Sequence, residues 1–111
     1  MFIKLSKEYD EDADYIAIRH IKTIRIEVWS DSLYEFHRLV ANLGDEEYDL
    51  YHSDKYHVSD WEGYEDINEY NNRVEESKAQ CWQVFTELRK LIAQGDGLDI
   101  EHIVDTIWEN A

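Results

Sequence analysis

Residues 66–93, DINEYNNRVEESKAQCWQVFTELRKLIA, carry apolar or small side chains at alternating steps of three and four, the spacing of one face of a long α-helix. We predict that this helix begins at about Asp60 or Asp66 and ends at about Ala93, before Gly95. A short amphipathic helix is expected next, with Asp99 as its N-terminal cap. The stripe of the long helix consists of Ile67, Tyr70, Val74, Ser77, Cys81, Val84, Leu88 and Leu91.

Strand patterns precede these helices. Residues 2–5 alternate weakly, residues 15–18 are mostly apolar, and residues 23–29 are β-branched, with Ile24, Ile26 and Val28 on one side. These segments predict a three-stranded antiparallel sheet with a turn near His20.

The segment after Trp29 predicts a further helix. Ser32 and Glu35 fit a capping box, and Gly44 closes the pattern. Residues 45–58 have no clear period and are expected to form a loop or an irregular helical turn. The chain is therefore predicted to be a single α+β domain over residues 1–111, with an N-terminal three-stranded antiparallel sheet followed by about three helices, one of them long. The apolar face of this further helix is Leu33, Phe36, Leu39 or Val40, and Leu43.

The net charge of −15 is unevenly distributed along the chain. Residues 45–76 hold twelve acids and two bases, whereas residues 1–44 have a net charge of −2 and residues 77–111 of −3. Rows of carboxylates can imitate the charge of a phosphate backbone, and Tyr is common among interface anchors. We therefore predict a partner-binding surface in this segment. Its residues are Asp45, Glu46, Glu47, Tyr48, Asp49, Tyr51, Tyr56, Asp60, Glu62, Glu65, Asp66 and Glu69.

This charge pattern favours a non-enzymatic inhibitor that mimics nucleic acid. It is expected to occupy the basic groove of a nucleic-acid-binding protein or nuclease, with no cofactor and no direct contact to nucleic acid. In composition the chain resembles phage-encoded DNA-mimic inhibitors, of the anti-restriction or anti-CRISPR type, and the immunity proteins of bacterial nuclease toxins. The sequence has no Gly-rich phosphate loop and no Gly-x-Ser-x-Gly elbow.

Two other functions fit parts of the sequence. The long helical stripe suits an assembly module or a homodimer packed through that helix. His52, Asp54 and His57 offer ligands for a small metal-dependent enzyme. The single cysteine, Cys81, lies on the apolar stripe and is expected to be a buried structural residue. With no disulfide pair, signal peptide or membrane-spanning run in the sequence, a cytoplasmic location is expected.

Overall fold

The computed structural model describes residues 1–11, 15–31, 33–57, 67–95 and 98–109, which form mixed α and β structure. These residues contain two sheets and two α-helices, one of them long. The strands are β1 (Phe2–Lys4), β2 (Tyr15–Ala17), β3 (Thr23–Ser30), β4 (Tyr34–Asn42), β5 (Glu47–His52), β6 (Tyr56–His57) and β7 (Leu98–Asp99). The helices are α1 (Ile67–Gln94) and α2 (Ile100–Glu109), and a 3₁₀ helix (Ile18–His20) follows β2.

The first sheet has the order β2-β1-β7. The predicted antiparallel pairing of the first two strands is confirmed, with Ile3 opposite Ile16. The prediction that β3 belongs to the same sheet is wrong. The 3₁₀ helix redirects the chain after β2, and β7 fills the other side of β1 in a parallel pairing that sets Ile3 beside Leu98.

The second sheet has the order β3-β4-β5, and β6 also pairs with β4. The helix predicted from Ser32 to Gly44 is therefore wrong, because these residues include the central strand of this sheet. Ser32 itself lies outside the described residues. The Asp31 carboxylate accepts hydrogen bonds from the backbone N–H groups of Leu33 and Tyr34, as a helix cap would, but here it closes the β3–β4 turn.

Residues 45–58, predicted to be a loop or irregular helix, contain strands β5 and β6. The register explains the missing alternation. Leu39 pairs with Tyr51 while the next residue, Val40, pairs with Asp49, so Leu50 is an extra residue in β5. Both Leu50 and Tyr51 are buried, and the polar–apolar pattern is broken at that point.

Helix α1 covers the inner face of the second sheet. The predicted long helix is confirmed, and Cys81, Val84 and Leu88 on its stripe are fully buried. They share one core with Leu39 of β4 and with Ile3 of the first sheet. The stripe thus packs against the sheets of its own chain.

Helix α2 begins as the sequence predicts. The Asp99 carboxylate accepts a hydrogen bond from the Glu101 N–H at 3.0 Å, which is the bond of an N-terminal cap. The expected count of about three helices is corrected to two within the described residues. Ser59 and Glu62, whose spacing also fits a capping box at the start of the predicted long helix, lie outside the described residues. Neither described helix combines the length and the apolar character needed to cross a membrane.

Candidate acidic binding surface

The first acidic cluster lies in the β4–β5 turn and along β5. Asp45 and Glu46 are exposed in the turn. Glu47 accepts a hydrogen bond from the guanidinium of Arg25 at 2.6 Å, and this contact holds the pKa of the Glu47 carboxyl below its usual range. Arg25, in the edge strand β3, thus neutralises part of the acidic surface predicted on β5, the opposite edge strand.

Asp49 is neutralised in a similar way. Its carboxylate lies 3.6 Å from the Arg38 guanidinium and 2.9 Å from Nε2 of His52. Arg38 also contacts Glu27, and Glu27 contacts Arg25. A network of alternating positive and negative charges therefore covers the outer face of the second sheet. The sequence predicts an excess of negative charge at these residues of β5.

The tyrosines predicted as interface anchors form part of the core. Tyr51 and Tyr56 have exposed fractions of only 5% and 6%. The Tyr56 hydroxyl donates a hydrogen bond to Glu35 at 2.7 Å. Tyr48 is partly buried against the core, and its hydroxyl donates to Glu46. The rings of Tyr51 and Tyr56 are therefore largely covered by other side chains of the same chain.

The second acidic cluster falls mostly outside the described residues, which leave out Asp60, Glu62, Glu65 and Asp66. Glu69, in the first turn of α1, is partly buried. It lines a depression of about 300 Å³ together with Lys55, Arg73 and Glu76. The charges around this depression are mixed in sign.

The three candidate metal ligands, His52, Asp54 and His57, each contact a different residue of the chain. His52 bonds to Asp49, and the Asp54 carboxylate accepts a hydrogen bond from the Gln80 amide. The His57 ring packs on Tyr34, with 4.8 Å between ring centroids. Among the described residues, no group of three His, Cys, Asp or Glu side chains is arranged to hold a metal ion.

An acidic groove that the sequence did not indicate surrounds Tyr9. Two adjoining depressions of about 430 and 310 Å³ share Glu8, Tyr9 and Val104. Carboxylates reach the groove from the segment after β1, from the β5–β6 connection and from α2. We call this surface the Tyr9 groove and define it by Glu8, Tyr9, Tyr51, Asp54, Glu101, Val104, Asp105 and Trp108, with Lys55 as the one cation among its lining residues in the described part of the chain.

The wall of the Tyr9 groove is aromatic. The Tyr9 and Tyr51 rings lie 5.1 Å apart between centroids, and Tyr51 stacks on Trp108 at 5.7 Å. Burial, together with nearby negative charges of which Glu8 and Asp105 act most strongly, raises the pKa of Tyr9 to about 12. The shift comes first from burial and then from the surrounding carboxylates, and carboxylates gathered beside a partly buried ring favour the approach of a cation.

The position of Glu101 in this groove is fixed on two sides. Its backbone N–H is held by the Asp99 cap, and its carboxylate accepts a hydrogen bond from the buried Ser6 hydroxyl at 3.2 Å. A carboxylate held in place can receive a guanidinium or ammonium group without first losing side-chain freedom. The Tyr9 groove therefore suits Lys and Arg side chains, which pair with carboxylates and also pack on aromatic faces.

Two nucleophilic side chains, those of Ser77 and Cys81, lie in the interior. Cys81 is fully buried, as predicted, and burial raises the pKa of its thiol to about 12. Ser77 accepts a hydrogen bond from the His37 N–H and also contacts its imidazole, but only 3% of Ser77 is exposed. A nucleophile needs access to its substrate, so both residues are better explained as parts of the core.

A scan of protein-family models finds no match to the chain, and searches of the curated proteins and of the solved structures likewise find none.

Proposed function

We propose that this protein is a non-enzymatic acidic inhibitor that binds the basic groove of a nucleic-acid-processing protein. The target class includes restriction and CRISPR effectors, other DNA-binding proteins and nuclease toxins. The observation that supports this proposal best is the Tyr9 groove, where carboxylates from distant parts of the chain meet beside an aromatic wall. Basic side chains of the target insert there, and the overall charge of −15 steers the approach.

We expect the main contact with the target to lie away from β5. Glu47 and Asp49 already have Arg25 and Arg38 as cationic partners, so a target gains less by pairing with them. Glu8 and Asp105 lie in the groove beside Tyr9, whose pKa responds to both of them. The proposal thus assigns steering to Asp45, Glu46 and the rest of the acidic surface, and anchoring to the Tyr9 groove.

The alternative homodimer packed through the long helix loses its main support. The stripe of α1 that favoured it is buried against the sheets of the same chain, with Cys81, Val84 and Leu88 fully covered. An assembly through α1 would have to use its exposed face, which carries Trp82 among polar residues.

The test is a capture experiment from bacterial lysate with salt steps, followed by affinity measurement on the partner that is retained. The groove variant is E8Q/E101Q/D105N. The matched control is E75Q/E76Q/E87Q, which removes the same charge from the surface of α1. We expect the groove variant to lose at least about tenfold in affinity, which corresponds to about 1.4 kcal/mol, and the control to change only the association rate.

A further arm uses the β4–β5 cluster. D45N/E46Q/E47Q/D49N should flatten the salt dependence but retain more affinity than the groove variant. The captured partner must also lose duplex DNA when the protein binds it. Equal losses in all three variants would reduce the role of the acids to net charge and would overturn the groove as the anchor. A partner that keeps its DNA would overturn the inhibitor proposal itself.

A further inference from the structure

Strand β3 is an edge strand whose outer side is open to pairing. No strand in the described part of the chain pairs with that side. The Asp31 N–H donates to the Tyr34 carbonyl, which places the odd-numbered residues of β3 in hydrogen-bonded pairs with β4. The even-numbered residues Ile24, Ile26 and Val28 therefore direct their backbone N–H and C=O groups outward.

An apolar groove runs beside this edge, between β3 and α1. It has a volume of about 570 Å³ and is lined by Ile26, Val28, Ala79 and Trp82, together with the polar residues His37, Glu75 and Lys78. Val28 and Trp82 have exposed fractions of 56% and 55%. Exposed apolar side chains next to an open strand edge are typical of a surface that another strand covers.

The charge pattern of β3 is complementary to itself. Arg25 and Glu27 flank Ile26 symmetrically, so an antiparallel copy centred on Ile26 sets each Arg25 opposite the Glu27 of the other chain. The backbone pattern agrees with this centre, because Ile26 would face Ile26 in a hydrogen-bonded pair. The Arg25–Glu27 pairs would then occupy the non-hydrogen-bonded positions, where side chains are closest.

Neighbouring registers lack this match. Centring on Arg25 or on Glu27 sets like charges opposite each other and also brings together residues whose backbone groups already bond to β4. Ile24 and Val28 are the next centres whose backbone N–H and C=O groups point outward. A pairing centred on Ile24 sets Arg25 opposite Thr23, and one centred on Val28 sets Arg25 opposite Asp31. In both registers Glu27 has no cation opposite it on the facing strand.

We propose that the partner of this edge is a second copy of the chain. Two β3 strands pair antiparallel about a two-fold axis at Ile26 and join the two β3-β4-β5 sheets into one. Val28 of each copy then lies opposite Ile24 of the other, and the two apolar grooves, each with its Trp82, form one covered strip. The paired strand is locally balanced in charge, and screening at physiological salt limits repulsion between the remaining charges to roughly 8 Å.

This dimer is independent of the inhibitor proposal. The Tyr9 groove contacts β5, at the opposite edge of the sheet, through the Tyr9 contacts with Tyr51 and His52. Both surfaces can therefore be occupied at once, and either proposal can fail without the other.

The test is sedimentation of the full chain over a range of concentrations, with charge-reversal variants. We expect the wild type to dimerise. R25E and E27R should each be monomeric, because each sets like charges opposite each other, and an equimolar mixture of the two should form a heterodimer. Both substitutions also break contacts within the chain, so circular dichroism must show that each variant remains folded.

A second pair of variants tests the backbone pairing without changing charge. V28P removes an outward N–H at an exposed edge position, where proline is tolerated, and should give a folded monomer. V28T keeps the N–H and the branched shape and should remain a dimer. In the wild type, the Ile24, Ile26 and Val28 amides should exchange more slowly at concentrations where the dimer forms.

Three outcomes would overturn the proposal. One is a wild-type monomer at every concentration, which would leave the edge to a foreign peptide or to solvent. Another is a dimer that survives V28P, and the last is a mixture of R25E and E27R that fails to associate although both variants are folded.

Discussion

The imidazole Nδ1 of His37 lies 2.8 Å from the hydroxyl oxygen of Ser77, and this contact joins the central strand β4 to helix α1. Both residues are buried. The His37 N–H also donates to the Ser53 hydroxyl at 2.8 Å, and Ser53 returns its own N–H to the His37 carbonyl. A polar cluster thus crosses an otherwise apolar layer, and its hydrogen bonds fix how the helix is placed on the sheet.

Removing the Ser77 hydroxyl should destabilise the protein. S77A leaves buried polar atoms of His37 with one partner fewer, and this should lower the free energy of unfolding by about 1–3 kcal/mol. The measurement is urea denaturation followed by tryptophan fluorescence. T86A is the matched control, because it removes an exposed hydroxyl from the same helix and should change stability by less than about 0.5 kcal/mol. Equal effects of the two substitutions would show that the His37–Ser77 contact contributes nothing specific.

Stability should fall as the pH drops below about 6.5. Burial lowers the pKa of His37 from its ordinary value of 6.5, with Lys78 acting in the same direction. Above pH 6.5 His37 is neutral in both the folded and the unfolded chain, and its full contribution to the free energy of unfolding is present. Between pH 6.5 and the lowered pKa, the unfolded chain binds a proton that the folded chain does not, so the free energy of unfolding decreases as the pH falls through this range. The carboxyls of Asp31 and Glu47, whose pKa values are also lowered, act only below their ordinary values of 3.8 and 4.5.

The measurement is urea denaturation in steps from about pH 7.5 to about pH 5.5. H37N keeps a hydrogen-bonding group near the position of Nδ1 but does not titrate, so its stability should change less steeply over this range. Parallel slopes for H37N and the wild type would assign the pH dependence to other groups.

Gly44 should resist substitution because of its backbone conformation. Its φ is +103°, and a Cβ there would meet only the flexible end of Lys22, at 2.8 Å from Nζ. G44A should therefore lower the free energy of unfolding by roughly 1–2 kcal/mol through backbone strain. G95A is the comparison, since Gly95 has a φ of +74° with open space around it and should show the strain alone. If K22A restored full stability to G44A, the contact with Lys22 and not the backbone would be responsible.

Cys81 should react with thiol reagents only when the protein opens. The thiol is fully buried and its pKa is raised to about 12 by burial, so both access and thiolate formation are suppressed. We expect very slow labelling by a disulfide reagent in native buffer and fast labelling in urea. The variant C81A/Q83C places a thiol at an exposed position of the same helix and should be labelled at once. Rapid labelling of the native wild type would mean that this part of the core opens locally.

The helices could be predicted from the sequence because their signals are local. The stripe from Val74 to Leu88 repeats at helical spacing, and Asp99 lies one residue before α2. Strand β4 could not be predicted in this way because both of its faces are covered. His37 and Leu39 face α1, whereas Phe36 and Val40 are buried on the outer face, Phe36 beneath Trp29 and near the Lys55 ammonium. Buried positions at spacings of three and four then imitate a helix.

The sequence could predict which types of residue form the candidate site but not where those residues lie. The sequence indicates many acids and aromatic residues, and the structure contains both. It cannot indicate that Arg25 and Arg38 reach the acids of β5 across the sheet, because these pairs depend on strand register. Nor can it place Glu8, Asp54 and Asp105 around Tyr9, since they come from separate elements with no shared local pattern. The segment after β1 that contains Glu8 and Tyr9 has no local pattern that marks it as part of a groove.

The parallel pairing of β1 with β7 has a consequence for the order of folding during synthesis. Ile3 is fully buried, yet it lies beside Leu98, which the ribosome adds 95 residues later. Until β7 and α2 leave the exit tunnel, the β1–β2 hairpin has one unpaired side and an uncovered apolar face. The second sheet, whose strands are neighbours in sequence, can form earlier. Strand β1, although it is translated before the second sheet, is thus among the last segments to reach its native pairing.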